Sequence, residues 1–188
     1  MARRILITAA VAVVLIAFAV TVSAGSGPTA AKATYAVVPE YWLGYWPGNP
    51  TLCVLDRTDG IPVAEAVATF DRTVVDLEVR EGCSDTQTVI VYLDPEPSDY
   101  AAYTYRADRG RYDADGMWAM AGVVWMRVHA DHYEMTREDW RRLLVHELGH
   151  AVGLAHTTRQ DSIMNVDRIY ESDGLTQTDL TVLERLYR

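Results

Sequence analysis

At 188 residues the chain has room for one packed domain with a targeting segment ahead of it. Apolar residues make up 49% and charged residues 23%, which excludes global disorder. The net charge of −9 comes with no basic stripe, so nucleic acid is excluded as a partner and an anionic membrane surface would be repelled.

Met1 to Arg4 is a short positive stretch, and Ile5 to Val22 is uncharged and mostly apolar. Val22-Ser23-Ala24 then offers small residues at the −3 and −1 positions of a cleavage site. The pattern is that of a secretory signal peptide over residues 1–24. The competing reading is an uncleaved anchor, since 18 apolar residues can just span a bilayer. Both place the remainder outside the cytoplasm, secreted in the first case and membrane-anchored facing outward in the second. Cys53 and Cys83 are the only cysteines, and an even count in an exported chain reads as one disulfide between them.

Residues 25–50 form a lead-in, first rich in small residues and proline, then aromatic from Tyr35. The domain body is expected over 51–188. Thr51 to Asp56 suits a short strand, and Pro62 opens a helix whose apolar residues Val63, Ala66, Val67 and Phe70 follow at helical spacing. Val75, Leu77 and Val79 alternate with acidic residues as in a half-buried strand, and Thr88 to Leu93 is a β-branched run. Residues 98–115 read as a long loop holding one short strand at most. Gly116 to Val128 reads as extended, with a bend available at Gly122. Thr136 and Asp139 make a capping-box-like pair before a helix with Trp140, Leu144, Leu148, Ala151 and Val152 on one face. Thr176 and Asp179 repeat the pattern before a last helix. The fold class is therefore α+β.

The chemistry concentrates in His146-Glu147-Leu148-Gly149-His150-Ala151-Val152-Gly153-Leu154-Ala155-His156. Two histidines four residues apart on a helix face the same way and can share one metal ion. Glu147, beside them, can reach a water on that ion without being a ligand. Gly153 lets the chain turn sharply, bringing His156 round as third ligand. Three His ligands with an open fourth position suit Zn2+ and hydrolysis, Glu147 acting as the base that takes the water's proton.

This run resembles the extended zinc motif of the metzincin metallopeptidases, and Ser162-Ile163-Met164-Asn165 is similar to their Met-turn. The matrixin branch looks nearest, from Thr157 after the third His and from the Leu175–Tyr187 segment. The resemblance implies a zincin-like single domain. Its twisted mixed sheet would carry an active-site helix, a second packing helix and a C-terminal helix. It implies a zinc-dependent endopeptidase, with a peptide or protein as substrate and the enzyme a monomer. It also implies an edge strand along the cleft, placed within Gly116 to Gly122, with Val123 to Val128 as inner neighbour. Many matrixins are held latent by a cysteine, and pairing of Cys53 with Cys83 would remove that device here.

Four readings stay beside this one. Glu171 replaces His156 as third ligand, as in thermolysin-like peptidases. The fold is a catalytically silent zinc-binding module. His129-Ala130-Asp131-His132 forms a second metal site. Acidic residues between Asp94 and Asp115 supply calcium ligands, for which no loop spacing is recognisable. Tyr170, the only tyrosine near Met164, is a packing residue or a pocket wall.

Overall fold

The computed structural model describes residues 44–84, 86–96, 98–105, 107–129 and 135–187. The expected signal segment, the lead-in up to residue 43 and Ala130 to His132 lie outside those residues. The elements in chain order are β1 (Thr51–Arg57), α1 (Val63–Ala68), β2 (Asp76–Val79), β3 (Thr88–Asp94) and β4 (Ala102–Thr104). Then come β5 (Arg109–Tyr112), β6 (Trp118–Ala121), β7 (Val123–His129), α2 (Arg137–Ala151), a 3-10 turn at Ile169–Glu171 and α3 (Gln177–Leu186).

Five strands make one mixed sheet in the order β2-β1-β3-β7-β4, with β4 the only antiparallel member. Alternation along the strands decides which face is covered. Leu52, Val54, Val89, Val91, Val124, Met126 and Val128 are all buried, whereas their neighbours Trp125 and Arg127 are not. The buried face meets α1 and α2, which pack on each other through Val63, Ala66 and Val67 on one side and Trp140, Leu144 and Leu148 on the other. On the outer face, Arg127 lies over the rings of Tyr92, Tyr103 and Tyr105 at 5.7, 5.7 and 5.2 Å, and pairs with Asp94 at 3.0 Å. That layer ties the three-residue strand β4 to β7 and β3.

Both helix starts follow the sequence reading. Thr136 accepts from the Asp139 N–H, and the Asp139 carboxylate accepts from the Thr136 N–H at 3.1 Å. The Asp179 carboxylate accepts from the Thr176 N–H and hydroxyl, each at 2.9 Å.

The region 98–129 departs from expectation. The segment 98–115 holds two strands rather than one at most, and the edge strand beside β7 is β4 rather than a strand within Gly116 to Gly122. Gly122 sits at φ +83° and turns β6 away from β7. β6 is then flanked on both sides, by β5 on one and by Tyr45 on the other, where Tyr45 N–H donates to Trp118 O and Met120 N–H to Tyr45 O. Residues 123–129 do form an inner strand, β7, but it pairs with β3 and β4 and not with the 116–122 segment.

The described end of the lead-in is part of the domain. Trp46 is fully buried and its indole N–H donates to Ala151 O at 2.8 Å. The Tyr187 hydroxyl donates to Val152 O at 2.8 Å. Both carbonyls lie at the C-terminal end of α2, where the helix itself provides no partners. Gly153 follows at φ +100°, and a Cβ there would lie 1.9 Å from Gly44 O. Only glycine satisfies both the backbone angle and the approach.

Cys53 and Cys83 form the disulfide, with Cα atoms 5.8 Å apart and a sequence separation of 30. It links β1 to the loop after β2. Denaturing, non-reducing thiol labelling should find no free cysteine. Replacing both cysteines by serine should lower unfolding free energy by about 3–4 kcal/mol, measured by urea denaturation. Two labelled thiols, or activation by a mercurial, would contradict the assignment.

Candidate metal centre and active site

α2 delivers His146, Glu147 and His150 from one buried stretch; the three are 2%, 5% and 7% exposed. After Gly153 the chain reverses and carries His156 back over the helix. The three His Nε2 atoms converge: His156 to His146 is 3.2 Å and His156 to His150 is 2.9 Å. Tetrahedral zinc at 2.0–2.1 Å from each nitrogen needs nitrogens about 3.3 Å apart, so the spacing fits a zinc ion with little adjustment. No other group of three metal-binding side chains occurs among the described residues.

The outer nitrogens fix the tautomers. His146 Nδ1 lies 2.8 Å from Ile163 O, and His150 Nδ1 lies 2.8 Å from Leu154 O. A carbonyl oxygen only accepts, so both Nδ1 atoms carry the proton and both Nε2 atoms present lone pairs inward. Burial holds His146 down to about 4, with His156 acting in the same sense and the Ile163 carbonyl opposing. Burial also lowers His150 well below its ordinary value, helped by His146 and His156, and lowers His156. All three are neutral near pH 7, the form that binds a metal.

Met164 packs against α2 between its two metal-facing histidines. A Cβ on Gly149 would fall 2.6 Å from Met164 Sδ, so the sulfur occupies the space that Gly149 leaves open on α2. What holds the turn was not legible in the sequence. Asp179 on α3, 2% exposed, accepts from Ile163 N–H at 3.2 Å and from the Ser162 hydroxyl, while Met164 N–H donates to Ser162 Oγ at 3.0 Å. The same carboxylate therefore caps α3 and anchors the Met-turn, which in turn supplies the carbonyl for His146. The pair Thr176/Asp179 signalled only the cap.

Glu147 is not among the converging ligands. Thr104 on β4 donates its hydroxyl to Glu147 Oε2 at 2.7 Å and lies 3.1 Å from Glu147 O. Burial raises the Glu147 carboxyl to about 7, against the lowering effect of Thr104. A divalent cation beside it acts in the opposite sense to burial and favours the carboxylate. Thr104 fell in the segment read as loop, so no sequence signal pointed to it.

The site opens into a cleft of about 810 Å³. Residues 98–104 form one wall; Leu143, Val166, Ile169 and Tyr170 form another, with the three histidines and Glu147 between. Tyr170, half exposed, is thus a cleft wall, and Arg142 on α2 holds its carbonyl at 2.6 Å. Glu171 faces elsewhere: it pairs with Arg168 at 2.8 Å and lines a separate surface hollow. His156 takes the third position that Glu171 would have filled. His129 is buried at the end of β7 with Nδ1 2.9 Å from Glu96 O.

A helix with two metal-facing histidines, a glycine turn to a third and a methionine turn against it are the arrangement that the resemblance to metzincin zinc peptidases implies. The family model for matrixins matches residues 98–188, the segment that carries all of these features. Archaemetzincin from Methanopyrus kandleri, a solved structure, aligns at 15% identity with a TM-score of 0.46, over 74% of this chain and 96% of that one. No curated protein sequence matches the chain.

Protons compete with zinc only where the folded-state histidines take them up. Their depressed values place that competition below the ordinary 6.5 of histidine, near 4 for His146. Zinc affinity should stay nearly flat from pH 8 to 6.5 and fall as pH drops toward 4, measured by chelator competition. A decline already complete by pH 6 would contradict the buried, neutral state.

Proposed function

We propose that this chain is a secreted zinc-dependent endopeptidase in which Glu147 is the general base. The observation that carries the reading is a buried carboxylate on the cleft floor, placed between two converging imidazoles without joining them. Zinc, when bound by His146, His150 and His156, supplies a Lewis acid for the carbonyl and an acidified water. Glu147 would take a proton from the water whose oxygen adds to the carbonyl carbon and would pass a proton to the amine nitrogen as the peptide C–N bond breaks, leaving a carboxylic acid and an amine. No covalent enzyme intermediate is needed. A silent binding module has no use for Glu147, which the three-histidine arrangement does not require.

The substrate's path follows from β4. Tyr105 N–H donates to Trp125 O at 2.8 Å and His129 N–H to Ala101 O at 2.9 Å, with Tyr103 opposite Arg127. Residues 101, 103 and 105 thus spend their backbone groups on β7. By alternation, Ala102 and Thr104 turn theirs to the open side, where an extended peptide can add as a further strand. A cleft that runs along a strand edge suits bonds inside a chain. Export rests on Met1 to Ala24 and fits a domain stapled by Cys53–Cys83.

Glu147→Ala should keep zinc and fold but lose roughly 10²–10⁴-fold in turnover of a mixed peptide library. His156→Ala should instead lose zinc affinity. Full turnover in the first variant, or unchanged zinc binding in the second, would remove the mechanism.

Ala102→Pro deletes one edge donor without touching the β4–β7 ladder, so it should raise KM while zinc content and folding persist. An unchanged KM with the fold intact would show that peptides do not pair with β4.

A further inference from the structure

We propose that Thr104 is a positioning residue that sets the Glu147 carboxylate and couples it to the substrate strand, an inference that rests on Glu147 being the base. A threonine at a strand end is often only a hydroxyl satisfying a nearby carbonyl, and Thr104 Oγ1 does lie 3.1 Å from Glu147 O. The carboxylate oxygen is closer, at 2.7 Å, and the hydroxyl has one proton to give. The shorter, charge-assisted contact is the one it serves.

The geometry favours Thr104 as the fixed partner. Its backbone is held opposite Met126 in the β4–β7 ladder, and the next residue is pinned through Tyr105 N–H to Trp125 O. Its β-branched side chain has few χ1 states in a strand. Glu147, by contrast, has three rotatable side-chain bonds. Among the described residues, the hydrogen bond recorded for its carboxylate is the one from Thr104. A stiff donor on a clamped strand therefore selects one position for a flexible base.

The backbone of Thr104 faces the other way. Its N–H and C=O point to the edge where an extended peptide would add, so one residue carries both the substrate register and the position of the base. Proton transfer needs the base within hydrogen-bond reach, and displacements of about 1 Å cost rate rather than binding.

The test uses the zinc-loaded chain and three variants. Thr104→Val keeps the shape and removes the hydroxyl, Thr104→Ser keeps the hydroxyl, and Thr104→Ala adds no methyl beside the carboxylate should valine impair folding. Kinetics use one quenched-fluorescent peptide taken from the mixed library. The Val or Ala variant should lose about 10- to 100-fold in kcat, the range for a hydrogen bond to a charged group, with KM within about twofold and zinc affinity unchanged. The Ser variant should restore most of kcat. A crystal structure of the zinc-loaded Val or Ala variant should show Glu147 displaced or in several conformers. Wild-type kcat in both hydroxyl-free variants, a Ser variant as slow as Val, or an unmoved Glu147 side chain would overturn the proposal. Glu147→Ala run in parallel separates the two claims. If it is inactive while Thr104→Val is fully active, only the role of Thr104 fails; if it is fully active, the reading of Glu147 fails and the proposal with it.

Discussion

Three imidazole lone pairs aimed at one point repel one another unless a cation lies between them. The Nε2 atoms of His146 and His150 lie 3.2 and 2.9 Å from that of His156, close to the spacing a tetrahedral zinc ion would require. Two of the rings are aimed from their far sides. Carbonyls of Ile163 and Leu154 take the Nδ1 protons of His146 and His150, and burial keeps the rings neutral. The site is thus built from the outside inward, by backbone carbonyls whose own positions must be guaranteed.

Those guarantees account for much of the fold. Ile163 O is held by the Met-turn, the Met-turn by Asp179, and Asp179 by its place at the start of α3. Met164 fits against Gly149, so α2 and the turn touch at the one place where α2 has no side chain. At the C-terminal end of α2, Trp46 and Tyr187 satisfy the carbonyls of Ala151 and Val152, and Gly153 turns beneath Gly44. Segments far apart in sequence therefore converge on the turn that returns His156. Buried polar groups such as Asp179 specify this arrangement because each has few acceptable partners.

The cleft has a similar logic on its open side. β4 is only three residues long, too short to be stable by pairing alone. The layer of Arg127 with Tyr92, Tyr103 and Tyr105 anchors it from the outer face. Thr104 then joins its inner face to Glu147. Chain length, charge and the long aromatic loop gave no hint that the edge strand lay here. Its strand character depends on neighbours, since residues 98–105 show no sustained alternation to read.

By itself the sequence determined the elements whose signals are local. These include the helix from Arg137 with its Thr136/Asp139 box, the strands β1, β2 and β3, and the spacing of His146, His150 and His156 around Gly153. Helical periodicity and glycine's backbone freedom act within a few residues, so those features need no distant partner to be legible. The pairing of Cys53 with Cys83 was legible too, because two cysteines allow one bond. The tertiary structure alone decided which strand forms the edge beside β7, that Thr104 meets Glu147, that Asp179 anchors the Met-turn, and that Trp46 closes the end of α2. Each of those contacts joins residues 16 to 105 positions apart. Hydrogen bonds at such separations leave no periodic trace, because the residue types involved serve equally well at a surface or a cap.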